Sequence, residues 1–167
     1  IHDGYISKRT TGSFTTNNQW RIAYNDTNDN INLIHADNTS VTAAAAPAPG
    51  TNWAHYAFTR QSGTLRVFRN GVKTSEASGW TYDFSNAYNL LIGANVTSSN
   101  YFDGFLSNVR IIKGTALYTA NFTAPTEPLT NVTNTTLLCC NSSTSAIAAT
   151  VKPGDITANG AFATRNE

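Results

Sequence analysis

The run Tyr101 to Thr123, YFDGFLSNVRIIKGTALYTANFT, constrains the fold of this chain more than any other segment. Phe102, Phe105, Leu106, Val109, Ile111 and Ile112 are apolar, while Asp103, Ser107, Asn108, Arg110 and Lys113 are polar. Between Phe105 and Lys113 the two kinds roughly alternate, as they do on a sheet with one packed face and one wet face. The run predicts a turn, a strand over Gly104–Lys113 and one helical turn over Thr115–Tyr118. Pro125 to Pro128 reads as an extended crossover. Nothing here is chemically reactive, so the run specifies an all-β scaffold rather than a site.

The 167 residues are read as one domain, long enough to bury a core without metal or disulfide support. Charged residues make up 13% of the chain and the net charge is +1, with 11 scattered Lys and Arg. No basic stripe forms, so nucleic acid is not an expected partner. No apolar run approaches the roughly 18 residues of a membrane span, so membrane insertion is not expected. The chain starts at Ile1 and holds no Met, which reads as a piece of something longer. Polar uncharged residues, 20 Asn and 25 Thr, take the place of charge on the surface. Thr suits exposed strand faces and Asn suits tight turns. Seven Asn-x-Ser/Thr sequons, from Asn25 to Asn141, barely exceed what this composition yields by chance and carry no weight.

Strands are predicted at Gly4–Arg9, Trp20–Asn25, Ile31–His35, Ser40–Ala44, Trp53–Arg60, Leu65–Arg69, Val72–Glu76, Asn89–Ile92, Gly104–Lys113, Thr136–Cys140 and Asp155–Ala158. Asn70-Gly71 is the strongest local signal, a two-residue loop whose primed turn matches the twist of paired strands. AAAAPAPG, around Ala43 to Gly50, reads as a strand end and connector, because Pro47 and Pro49 stop any helix. Residues Asn141 to Pro153 read as a loose loop. The only cysteines, Cys139 and Cys140, are adjacent. Strand neighbours point to opposite faces and a ring joining them is strained, so two reduced thiols are expected, one buried and one facing out.

Three blocks resemble a known family. They are WAHYAFTR (Trp53 to Arg60) with SGTLRVFRNG (Ser62 to Gly71), LLIGA (Leu90 to Ala94), and Phe102-Asp-Gly104 with Asn108 to Ile111. Together they resemble the laminin-G-like, concanavalin A-like jelly rolls. The implied fold is a β-sandwich of two antiparallel sheets, over roughly Trp20 to Gly160. The tail KGTALYTANFTAPTEPLTNVTNTTLLCC resembles versions common in phage structural and tail-fibre proteins. Family members usually carry a strand pair before the counterpart of Tyr5 to Arg9. Its absence implies a lost segment or a strand supplied by another chain at an open edge. On the residues alone, Trp53 reads as a large core filler.

Relatives with glycosidase activity carry two glutamates around an aspartate on one strand. Here Glu76, Glu127 and Glu167 stand far apart in sequence, so no retaining pair is expected. His2, His35 and His55 show no spacing for a metal or a triad. The resemblance implies a rim calcium ion, for which Asp103, Asp83 and Asn100 are the candidate ligands; the plainer reading is that Asp103 caps a turn. For glycans, the candidates are Trp80, Tyr82, Tyr88 and Tyr101 with Asn100, since rings cover apolar sugar faces and amides satisfy hydroxyls. The plainer reading makes these rings plugs at the ends of the sandwich.

The leading expectation is a non-enzymatic virion domain of a phage, extracellular on the particle surface, in a tail fibre or as capsid decoration. Its partners would be other virion proteins or further copies of itself, as in a trimer, and host-surface glycans. The alternative is an extracellular carbohydrate-binding module of a larger secreted protein. A third reading is an architectural block that binds no ligand.

Overall fold

The structure, a computed structural model, describes residues 4–10, 18–37, 39–96 and 99–158. Among them are thirteen strands and no helix. Backbone packing divides the chain into two compact units, the first comprising residues 1–104 and 118–124, the second 105–117 and 125–167.

The first unit contains three antiparallel sheets. β1 (Gly4–Lys8), β2 (Gln19–Asn25), β3 (Asn30–Asp37), β4 (Thr39–Pro47) and the short β8 (Leu91–Ile92) form a five-stranded sheet in the order β4-β3-β2-β1-β8. β5 (Tyr56–Gln61), β6 (Thr64–Arg69) and β7 (Val72–Ala77) form a three-stranded meander. β9 (Ala94–Val96) and β10 (Ser99–Tyr101) pair with each other. β1 is paired on both sides, by β2 and β8, so the start of the described chain lies inside its sheet rather than at an edge.

The two larger sheets enclose an apolar layer. Ile22 on β2 lies opposite Leu33 on β3, and Trp20 lies opposite His35, so these side chains share one face. Leu33, Leu65 and Trp80 form the buried core, with Trp20, Ile22, Phe58, Ala77, Tyr82 and Phe84 packed around it. Full burial of Leu33 and of Leu65 contributes about 1.5–3 kcal/mol each. The opposite face of the five-stranded sheet is also buried but partly polar. Ser7 lies opposite Arg21, and Asn32 opposite Ala23. The Ser7 hydroxyl faces the carbonyls of Ala94 and Asn95 at 3.0 and 2.8 Å, and Arg9 donates to the Asn95 side-chain oxygen at 3.0 Å. A Cβ on Gly4 would stand 2.3 Å from the Asn95 nitrogen, so only glycine permits this approach.

Two tight turns build the meander. Ser62 and Gly63 have φ of 47° and 73°, Asn70 and Gly71 φ of 50° and 80°, and both pairs bridge directly opposed strand residues. These are primed hairpin turns, and Asn70-Gly71 is the one foreseen from sequence. Segment 118–124 docks on this hairpin. The Phe122 amide donates to the Gly71 carbonyl at 2.9 Å, and Lys73 N–H donates to the Asn121 side chain at 2.9 Å. Phe122 stacks on Tyr118 at 3.6 Å and meets Phe68 edge-on at 5.4 Å.

In the second unit β11 (Val109–Ile112), β12 (Thr135–Cys139) and β13 (Ala149–Val151) form an antiparallel sheet, with Leu137, Leu138 and Cys139 buried. Several expectations are corrected here. The strand expected from Gly104 begins only at Val109, because Asn108 turns left-handed at φ 54°. The expected helical turn at Thr115–Tyr118 is a series of bends and coil, with Gly114 at φ 89° leading into it. Asp155–Ala158 is not a strand; β12 takes its partner from Ala149–Val151, inside the segment read as a loose loop.

A Cβ at position 71 would lie 1.9 Å from the Phe122 carbonyl oxygen, whereas Gly79, also left-handed at φ 76°, has nothing within 4 Å. Gly79→Ala is therefore expected to lose only the backbone preference, about 1 kcal/mol, and Gly71→Ala at least about 2 kcal/mol because the docked segment must move. Denaturant unfolding of the two variants measures this; equal losses would mean that the docking of Phe122 is not specific.

Candidate carbohydrate-binding rim

Segment 79–90 explains where most of the expected glycan residues fall. Burial alternates along it: Trp80, Tyr82, Phe84, Asn86 and Tyr88 point inward, while Thr81, Asp83, Ser85 and Ala87 face out. It is strand-like in period but joins no ladder. Trp80 is only 4% exposed, and its amide donates to the Gly63 carbonyl at 2.7 Å. Tyr82 meets Trp80 edge-on at 5.1 Å and stacks on the buried His35 ring at 4.8 Å. Arg60 lies over Phe84 at 4.7 Å and donates to the Tyr82 carbonyl. His35 Nε2 faces the Asp83 carbonyl at 2.7 Å, and because a carbonyl only accepts, this nitrogen carries the proton.

Trp80 is thus a correction. It is a core residue with no free face for a sugar, because the alternation of segment 79–90 turns it between the sheets. Tyr82 is half-buried with one ring face covered by His35, and Tyr88 is half-buried with its amide bonded to the Asn86 side chain at 3.1 Å. Tyr101 alone of the four is an open ring, 58% exposed at the end of β10. Asn100 lies on that strand, its side chain outside what is described.

Of the calcium candidates, Asp83 is already engaged by neighbouring donors. Asp83 accepts from the Ser85 hydroxyl at 2.6 Å, the Ser85 amide at 2.8 Å and the Asn18 amide at 3.0 Å. These hydrogen bonds, led by the Ser85 hydroxyl, hold its carboxyl below the usual carboxylate range. Its oxygens therefore serve an Asx turn. Asp103 is exposed in an irregular turn before Gly104. Among the described residues no group of three or more His, Cys, Asp or Glu comes together. Calcium takes about six to eight oxygens, of which Asp83 already commits its own to Ser85 and Asn18.

Trp53 reverses the sequence reading from the other side. Expected in the core, it is 57% exposed in the connection between β4 and β5. β5 starts only at Tyr56, so Trp53 never enters the sheet. The connection is pinned at both ends. The Ala48 amide donates to the Asp29 carbonyl at 3.0 Å, and the Tyr56 hydroxyl donates to the Pro47 carbonyl at 2.6 Å. His55 and Asn70 exchange two bonds, His55 N–H to the Asn70 side chain at 2.9 Å and Asn70 N–H to the His55 carbonyl at 2.8 Å.

Those bonds assemble one rim from the β2–β3 turn, the β4–β5 connection and the β6–β7 hairpin. Asp26, Thr27, Asn28 and Asp29 are exposed in the β2–β3 turn, as are Thr51 and Asn52 beside Trp53. The Tyr24 hydroxyl donates to the Asp29 carboxylate at 3.0 Å and fixes that turn. The indole sits in a connection held by backbone anchors beside the exposed Thr51 and Asn52, and an exposed ring can cover an apolar sugar face while hydroxyl and amide neighbours meet its hydroxyls. The sequence cue was available: GTNW directly follows Pro47-Ala-Pro49, and a Trp in a connector is a Trp outside a strand.

A laminin-G-like family model, described as the concanavalin A-like lectin/glucanases superfamily, matches residues 4–120. The chain belongs to this family, and its antiparallel all-β sheets are those of a concanavalin A-like jelly roll. No curated protein and no solved structure gives a significant match. The family spans lectins and glucanases, so membership supports a carbohydrate-binding or structural role in general. It does not reach as far as a phage particle. Among the described residues no helix is long and apolar enough to cross a membrane.

The exchanged roles of the two tryptophans make a direct contrast. Trp80→Ala is expected to cost about 3–5 kcal/mol of stability, and Trp53→Ala to stay within about 0.5 kcal/mol. Urea unfolding of both variants decides it, and comparable losses would put Trp53 back in the core.

Proposed function

We propose that this chain is a non-catalytic carbohydrate-binding module with Trp53 as its sugar platform. The observation that carries the reading is the 57% exposure of an indole in a connection fixed at both ends. Tryptophan is highly buried on average, so a large exposed indole on a fixed backbone calls for a use. Membership in a lectin-containing family supports a sugar as the partner. Asn52, in the same connection, and Asp29, in the turn bonded to it, are the polar neighbours assigned to sugar hydroxyls.

The carboxylates support binding over hydrolysis. Glu76 pairs with Lys73 at 2.7 Å and Arg66 at 3.1 Å, and the Lys73 hydrogen bond holds its carboxyl below the usual range. A group kept ionised in this way is a poor general acid near neutral pH. Glu127 stands in an irregular segment before Pro128, and Glu167 lies outside the described residues. Retaining hydrolysis needs two carboxyls about 5–5.5 Å apart, and Glu76 is engaged instead with Lys73 and Arg66.

A glycan array followed by affinity electrophoresis in the best soluble polysaccharide tests the proposal. Wild-type protein is expected to bind, Trp53→Ala to bind about tenfold more weakly or worse, a loss of about 1.4 kcal/mol, and Tyr101→Ala to bind as wild type. A wild-type chain that binds nothing on the array, or a Trp53→Ala chain that binds unchanged, would overturn it. A setting on a phage virion, and assembly with further copies or other virion proteins, rest on the tail's resemblance alone. Light scattering of the purified chain bears on them, since a lasting monomer removes self-assembly.

A further inference from the structure

Cys139 and Cys140 do not behave as strand neighbours. Cys139 closes β12, opposite Val109 and Ala149, and is 2% exposed. Cys140 leaves the strand with φ 58°, a left-handed conformation uncommon for a residue with a side chain. That twist brings its sulfur to the same side as its neighbour's, and the two Sγ atoms stand 3.6 Å apart with both thiols free. The expectation that they point to opposite faces is therefore corrected. The turned backbone is fixed in place, because the Cys140 carbonyl accepts the Asn108 amide at 2.8 Å.

We propose that Cys139 and Cys140 form a reversible dithiol–disulfide couple that reacts with small disulfides of the glutathione class. Cys140 is half-buried and accessible, and Cys139 lies behind it. The hydrogen bond between them favours thiolate at Cys140 and holds the proton on Cys139. The Cys140 thiolate attacks one sulfur of the small disulfide, forming a mixed disulfide and releasing one thiolate, which takes a proton from water. Cys139 then attacks the Cys140 sulfur. The second small thiol leaves with the Cys139 proton, and an intrachain disulfide remains. Two electrons have passed from the cysteine pair to the small disulfide, which is reduced to two thiols.

The product is a switch rather than a staple. Consecutive Cα atoms across a trans peptide are about 3.8 Å apart, and disulfides normally span about 4.4–6.8 Å. Ring closure between neighbours is therefore strained, and strained disulfides are the readily reduced ones.

The test uses the full chain, freshly reduced, treated with oxidised glutathione, quenched in acid and weighed by mass spectrometry. The expected product is two hydrogens lighter, carries no glutathione, resists iodoacetamide at both cysteines, stays monomeric on a non-reducing gel and returns to the starting mass with dithiothreitol. Cys139→Ala is expected to stop at the mixed disulfide on Cys140. Three outcomes overturn the proposal: a wild-type chain that keeps its glutathione, chains linked to each other, or cysteines that stay reduced and alkylate. Cys139 is buried, so should its variant fail to fold, the mass of the wild-type product decides alone.

Discussion

The first unit depends on Trp80. Its indole packs with Leu33 from the five-stranded sheet and Leu65 from the three-stranded one, and its amide is tied to the Gly63 turn. Segment 79–90 has no ladder to hold it. Its place is set by side-chain packing, with Trp80 in the core, Tyr82 on His35 and Phe84 beneath Arg60, and by single hydrogen bonds to its backbone at Trp80, Tyr82 and Asp83. Burial of about 150–250 Å² per aromatic ring makes such an unpaired segment permanent. Through it the two sheets gain a common layer.

The fold was legible to the extent that it is local. Alternation and turn chemistry located β1 to β7, and Asn70-Gly71 named its own turn type. What escaped was set by contacts between distant segments. β9 and β10 are three residues each and carry little periodicity. β13 hides in a stretch of Ser, Ala and Thr because its register comes from β12. Asn108 and Cys140 turn left-handed facing each other across the ends of β11 and β12, and no propensity marks Cys for that conformation.

The candidate rim was only partly legible in the sequence. The sequence marked aromatic rings beside Asn and Asp as candidates, but it does not say which tryptophan is covered. Trp80 sits in a loop by composition and in the core by packing; Trp53 borders a strong strand and stays outside it. The decisive information was the alternation of residues 80–88, which turns even-numbered positions inward as a strand would. Family membership supports a carbohydrate-binding or structural role in general, and only the packing separated a ring that holds the sheets from one left open.

The docking of Phe122 on Gly71 has a consequence in time. The meander joins residues close in sequence, so it can assemble as soon as it has been synthesised. Its outer contacts arrive late, because Phe122 lies about fifty residues downstream and that loop must close first. Until then the Phe68 ring lacks the Tyr118 and Phe122 rings that pack against it. A hairpin formed before that loop closes would leave the Phe68 ring without those partners. The glycine that admits the Phe122 carbonyl is what lets so late a segment cover so early a hairpin.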